Sequence, residues 1–276
     1  MNNPPAAQPV FISPEQLLSD LGSANRVCIV DLSKAEVFAA GHVPGALHLD
    51  EKRLVATHKP VGGLLPDDRS LSSLLIDLGI TPDTRVVAYD DQGNSRAGRL
   101  VWTLNVIGHT QAAILDGGLG AWCDAGHNQS RDPAPTPQPS HYQAQAQPDA
   151  VADKAWILDH LQDPQVLILD VRTPEEYRGE DLRSLRGGHI PGAINYNWLR
   201  SQDPQRYRCL RPASELESDL QELGLSKELQ IVAYCQTHMR SSHTFAMLRH
   251  LGFERLRGYP GAWSDWGNDP RMPIEK

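Results

Sequence analysis

Cysteine is scarce in this chain. There are four, Cys28, Cys123, Cys209 and Cys235, and none sits in a CxxC pair or beside histidine at metal-ligand spacing. A zinc site and a disulfide framework are therefore not expected. Aromatic residues make up only 6% of the chain. No apolar run approaches the ~20 residues of a membrane span. The segment Met1 to Gln8 is polar and proline-containing and lacks the basic and apolar parts of a leader, so a cytoplasmic location is expected. Positive charge is in deficit, with a formal net charge of −8, which argues against nucleic acid or an anionic membrane as partner. A small anionic substrate is still compatible, because donors gathered in one loop outweigh a diffuse field at close range. Hydrophobic residues at 40% and charged residues at 22% describe an ordinary globular protein with ample core.

What the chain does have, it has twice. Asp31-Leu32-Ser33 recurs as Asp170-Val171-Arg172, each closing an apolar strand. Gly41-His42-Val43-Pro44-Gly45-Ala46 recurs as Gly188-His189-Ile190-Pro191-Gly192-Ala193, and Val86-Val87-Ala88-Tyr89-Asp90 as Ile231-Val232-Ala233-Tyr234-Cys235. Gly117-Gly118-Leu119-Gly120-Ala121-Trp122 recurs as Gly258-Tyr259-Pro260-Gly261-Ala262-Trp263. Four matched segments in one order indicate a tandem duplication, with domains at 1–126 and 150–276. Between them, residues 127–149 are rich in Pro, Gln and Ala without apolar periodicity and read as an extended tether. The second copy carries about eight extra residues, Arg178 to Gly187, expected as a surface loop near the functional end. Each copy alternates short apolar strands with helical patterns, such as Val166 to Asp170 and Pro212 to Leu223. The fold expected is α/β, two parallel sheets each flanked by helices, with ligands at the carboxyl ends of the strands.

Cys235 ends such a strand. The loop Gln236-Thr237-His238-Met239-Arg240-Ser241 follows, and then a helical pattern from Thr244 to Leu251. Strand, loop and helix in that order aim backbone N–H groups and the positive end of the helix dipole at the sulfur, and a cysteine so placed is a thiolate near neutrality. The first copy has Asp90 at the matching place. Five residues separate Asp90 from Arg96, against four between Cys235 and Arg240, so the first loop reads as lengthened and without its nucleophile. Cys28 lies inside a strand and reads as a small core residue; Cys123 and Cys209 read as bystanders.

The run Phe38-Ala39-Ala40-Gly41-His42-Val43-Pro44-Gly45-Ala46 resembles the amino-terminal signature of rhodaneses, and Gly261-Ala262-Trp263-Ser264-Asp265-Trp266-Gly267 resembles the other end of the same family. The loop from Cys235 to Ser241 most resembles that of bacterial rhodaneses of the Azotobacter and Pseudomonas type. It is unlike the Cys-Arg-Lys-Gly and Cys-Gly-Ser-Gly loops of the mitochondrial enzyme and the mercaptopyruvate sulfurtransferases. The resemblance implies an inert first domain and a catalytic second one that moves a sulfane sulfur from thiosulfate or another donor, through a Cys235 persulfide, to cyanide, a thiol or a protein thiol. No cofactor or metal is implied, and a monomer is expected. Cys235 is the expected nucleophile. Arg240 is the candidate anion-binding side chain, and Gln236, Thr237, His238, Met239 and Ser241 are the expected cradle.

The chain departs from the family at one place: where many two-domain relatives have a substrate-binding arginine, six residues past Asp170, it has Glu176. Arg240, or Arg183 or Arg186 of the insertion, would have to take that role. His238 reads either as a proton donor or as an exposed loop residue. His42 and His189 read as fold-holding, and Asp170 with Arg172 as a pocket wall or an ion pair. Two other functions stay open: a sulfur carrier serving a protein partner, and a phosphatase or arsenate reductase, whose loops have five residues between cysteine and arginine and suit the larger phosphate.

Overall fold

The computed structural model describes residues 9–23 and 26–276; Met1 to Gln8 lies outside them. The first half runs β1 (Phe11–Ile12), α1 (Pro14–Leu21), β2 (Val27–Asp31), α2 (Ala35–Ala40), β3 (Leu47–His48), β4 (Ala56–His58), β5 (Val61–Leu64), α3 (Asp68–Asp77), β6 (Arg85–Tyr89), α4 (Ser95–Val106), β7 (Ala112–Leu115) and α5 (Gly118–Asp124). The second runs α6 (Lys154–Asp159), β8 (Val166–Asp170), α7 (Pro174–Arg178), β9 (Ile194–Asn195), β10 (Gln202–Asp203), β11 (Cys209–Leu210), α8 (Ala213–Glu222), β12 (Gln230–Tyr234), α9 (Arg240–His250), β13 (Leu256–Gly258) and α10 (Ala262–Trp266). Strands pair in the orders β1-β7-β6-β2-β3 and β13-β12-β8-β9, parallel throughout, so the chain has the tandem α/β architecture its sequence implies. Among the described residues no helix is long and apolar enough to cross a membrane.

Each central strand is apolar on both sides because both faces of its sheet are covered. Along β12, Ile231 joins one core and Val232 and Tyr234 the other; along β6, Val86 and Ala88 face one core and Val87 and Tyr89 the opposite one. The larger core is shared: it holds Val86, Leu100 and Trp102 of the first unit together with Ile231, Phe245 and Leu248 of the second.

The repeated histidine turns do the same work in both units. His42 Nδ1 lies 3.0 Å from the Phe38 carbonyl with its ring stacked on Phe38; His189 Nδ1 lies 2.9 Å from the Tyr177 carbonyl with its ring on Tyr177. The next residue, Val43 or Ile190, donates its N–H to the hydroxyl of Tyr89 or Tyr234 at the end of the central strand. Both histidines hold the fold.

Three further features position the functional end. First, α4 crosses α9 so closely that a Cβ on Gly98 would lie 2.7 Å from Cα of His243. Second, residues 127–149 do not hang free. Ser130 pairs with His42, Ala144 N–H donates to Ser72 Oγ, and Gln147 N–H donates to the Val106 carbonyl, which pins the segment along the first unit. Third, the β4–β5 hairpin reaches the second unit. Gly62 N–H donates to Ser264 Oγ at 3.0 Å, and Gly63, at φ +71°, sits so near the Thr237 carbonyl that a Cβ would lie 2.1 Å from its oxygen.

The structure corrects the reading of a lengthened first loop. Both α4 and α9 begin five residues after the aspartate or cysteine, and Gly98 meets His243, each eight residues on. The loops are of equal length, and Arg96 is simply one place further along its helix than Arg240. In the first unit Asp90 itself fills the cradle. Its carboxylate accepts from the N–H groups of Gln92 (2.6 Å), Asn94 (2.8 Å), Arg96 (2.6 Å) and Ala97 (3.0 Å). Burial pushes the Asp90 carboxyl upward against those four bonds.

Two expected outcomes test this arrangement. Asp90→Ala strips the acceptor from four amides, two of them buried, and should lower unfolding stability by about 2–4 kcal/mol in urea titration. Gly63→Ala forces the hairpin off the Thr237 carbonyl, so sulfur uptake measured by intact mass should slow several-fold along with a lower melting temperature.

Candidate active site

Cys235 follows β12 directly and is fully buried. Its carbonyl accepts from Trp263 N–H at 3.0 Å and that of Gln236 from Ser264 N–H at 2.9 Å, so the start of the loop is fastened to α10. No side chain caps α9, and its first amides are left for another acceptor. Thr237 N–H, Ser241 N–H, the Ser241 hydroxyl and the Arg240 guanidinium all favour the ionised form of the sulfur. Burial alone would raise the thiol pKa. The Arg240 charge and then the Ser241 and Thr237 donors outweigh it, and Cys235 is held below the ordinary thiol range.

Arg240 does not swing free. Its two terminal nitrogens grip Glu176 at 2.6 and 2.8 Å as a bidentate pair. Glu176 is buried at the start of α7, where it also closes a capping box with Thr173. Burial opposes its charge, but Arg240 more than compensates and holds the carboxyl below the usual range. The residue that departs from the family pattern is therefore the anchor of Arg240. Arg183, half-exposed, reaches to 3.5 Å from the same carboxylate. Arg186 is ruled out as a substrate ligand, because its guanidinium is bonded to the carbonyls of Met272, Trp266 and Asp269. Arg172 is likewise consumed, by a fully buried ion pair with Asp170 and by the Gly188 carbonyl, with its guanidinium 4.5 Å above the Trp263 ring.

Of the remaining loop candidates, Gln236 turns outward and its amide donates to the Arg183 carbonyl and Ser184 Oγ, stapling the insertion to the loop. Thr237 faces the hairpin, and Met239 starts the turn into α9. The reading of His238 as exposed is overturned. It is completely buried at φ 58°, with Nδ1 2.7 Å from Ser241 Oγ and its ring set edge-on to Trp102. Burial, followed by the charge of Arg99, holds its pKa far below the usual value, so it is a neutral ring. Cys28 and Cys209 are buried, with thiols pushed up to about 12 and about 11, both chiefly by burial; Cys123 is exposed. Among the described residues no cluster of His, Cys, Asp and Glu is placed to hold a metal.

Three residues at the site escaped sequence reasoning. Gly63 had a signal, a Gly-Gly pair inside a strand, which marks close approach of another backbone. Glu176 was visible only as a departure. Arg99, a lone charge in the apolar stretch from Ala97 to Trp102, is buried against the loop.

The Rhodanese-like domain family matches this chain twice, over residues 13–125 and 153–269. The thiosulfate sulfurtransferase of Azotobacter vinelandii is 41% identical over 271 residues, 98% of each chain. That of Pseudomonas aeruginosa is 38% identical over 268 residues, 97% of each. In fold the chain is also similar to the anaerobic ergothioneine biosynthesis enzyme from Chlorobium limicola, at a TM-score of 0.83 and 23% identity, covering 97% of this chain and 70% of that one. With both halves matched and whole-length relatives at this identity, the chain belongs to the rhodanese-like family and carries its domain twice.

Proposed function

We propose that this protein is a thiosulfate sulfurtransferase that carries one sulfur atom on Cys235. The observation that carries the reading is a buried sulfur at a strand end whose pKa the Arg240 charge and the Ser241 and Thr237 donors hold below the ordinary thiol range. Relatives named as thiosulfate sulfurtransferases, alike over nearly their whole length, supply the donor.

In the first half-reaction the Cys235 thiolate attacks the outer sulfur of thiosulfate. The bond between that sulfur and the sulfonate sulfur breaks, its electron pair leaves with sulfite, and a Cys–S–S⁻ persulfide remains. The terminal sulfur keeps the negative charge and stays among the same donors. In the second, the carbon of cyanide, or a thiolate, attacks the terminal sulfur. The sulfur–sulfur bond breaks, thiocyanate leaves when cyanide is the acceptor, and the electron pair returns to Cys235. Neither half requires a proton if the cysteine starts ionised, which agrees with a neutral, buried His238. Double displacement makes the kinetics ping-pong.

The incoming sulfonate meets Arg240, pre-aligned by Glu176, and the half-exposed Arg183 beside it. Four residues between Cys235 and Arg240 make a cradle suited to one sulfur atom rather than a tetrahedral phosphate.

Intact-mass measurement is the direct test. The native protein should gain one sulfur atom from thiosulfate and lose it to cyanide, whereas Cys235→Ala should gain none; uptake by the variant would place the carrier elsewhere. Arg183→Ala should raise the KM for thiosulfate several-fold with kcat nearly kept. Arg240→Ala should lower kcat/KM by roughly a hundredfold, since it removes a charge that acts on the thiolate itself. Equal effects from the two would show that the sulfonate is bound elsewhere.

A further inference from the structure

Arg99 belongs to the half of the molecule without a nucleophile, yet it is built into the catalytic loop. It leaves the first turns of α4 and is completely buried. One terminal nitrogen donates to the carbonyls of Leu54 (3.1 Å), Gly63 (3.0 Å) and Leu64 (3.1 Å), and the other to that of His238 at 3.4 Å. The guanidinium lies 4.7 Å from the Trp102 ring centre. Its Nε has no partner, and no carboxylate among the described residues pairs with it. Carbonyl dipoles solvate such a cation without neutralising it, and a buried charge left uncompensated acts strongly on the nearest anion.

Cys235 is the charged group that acts back on Arg99. Around the sulfur, α9 contributes Arg240, whose charge is balanced by Glu176 of α7. The ends of β8 and β12 contribute Asp170, balanced by Arg172, and the hydroxyl of Tyr234, bonded to the same carboxylate. His238 is neutral, and Arg183 of the insertion is half in solvent and shared with Asp181. One full positive charge is left over, on α4. We propose that Arg99 is a positioning residue for sulfur transfer: behind Arg240 it adds an uncompensated charge that helps keep Cys235, and then the terminal sulfur of its persulfide, anionic, while clamping the His238 carbonyl to the hairpin. The first unit is then part of the active site in charge as well as in shape. The electrostatics agree in direction: burial pulls Arg99 down to about 9, and Cys235 is the one charged group that pushes it back up.

The persulfide half of this inference rests on the sulfurtransferase reading; the thiolate half does not, and it is the half measured first. In full-length protein carrying Cys123→Ser to remove the exposed thiol, the rate of Cys235 alkylation by the neutral reagent iodoacetamide is followed against pH, with the site confirmed by peptide mass. Arg99→Gln keeps amide donors for the carbonyls and removes the charge. Arg99→Lys keeps the charge and gives up most of the clamp. Arg99→Gln should raise the midpoint by about one pH unit or more, and Arg99→Lys by less than half as much. An unmoved midpoint in Arg99→Gln, or equal shifts in the two variants, overturns the proposal, since a merely structural role would not sort them by charge. If Arg99→Gln does not fold, Arg99→Lys decides: a near-native midpoint at a lowered melting temperature supports the assignment, and a fully raised one refutes it. A shifted midpoint in a protein that gains no sulfur from thiosulfate would leave the role of Arg99 standing and remove the proposed function instead.

Discussion

The site depends on the crossing of α4 and α9. Glycine at position 98 lets the two helices meet backbone to backbone at His243, and the contacts beneath the loop follow from that approach. It merges their cores, brings Trp102 against His238 and sets Arg99 under the loop. Packing densities like those of crystals leave no slack for a larger residue at such a contact. The second unit has its nucleophile, but the surface on which its loop rests belongs to the first.

The two units also show what one loop geometry does with two different residues. In each, a short turn between a parallel strand and a helix directs amides inward, and an anion must satisfy them. In the first unit the anion is the carboxylate of Asp90, covalently present and bonded to four N–H groups. In the second it is the sulfur of Cys235, shorter and singly charged, which leaves donors such as the Ser241 hydroxyl and Arg240 to share with a second sulfur atom. The Asp90 loop is thus an internal demonstration that this turn binds negative charge.

Much of this was legible in the residues. The runs at Val166 to Asp170 and Gln230 to Tyr234 are strands at those limits, because a buried parallel strand must be largely apolar on both faces and its length is set by its neighbours. The doubled Gly-His-Val/Ile-Pro-Gly turn marked the duplication, because each copy needs the same imidazole staple. Cys235 was legible because its position at a strand end carries its chemistry. Tertiary facts were not. Counting residues to the next arginine misread the first loop, since only the helix start shows that Arg96 has moved one place and left the loop length alone. His238 is polar and sits at a loop, so nothing local announces that the first unit covers it. Glu176 reads as a lost arginine in one dimension; only in three does it become the carboxylate that aligns Arg240.

That carboxylate also sets the charge of the site. An arginine at Glu176 would stand beside Arg240 and add a second full charge to the pocket, strengthening its hold on thiosulfate but also on departing sulfite. With Glu176 in place, Arg240 is aligned and still the chief charge favouring the ionised sulfur, and the buried charges near the sulfur cancel when Cys235 is anionic and Arg99 is cationic. In the proposed cycle the thiolate and the persulfide each carry one negative charge, so a pocket balanced in that way suits both, as a carrier that must accept and surrender its sulfur requires.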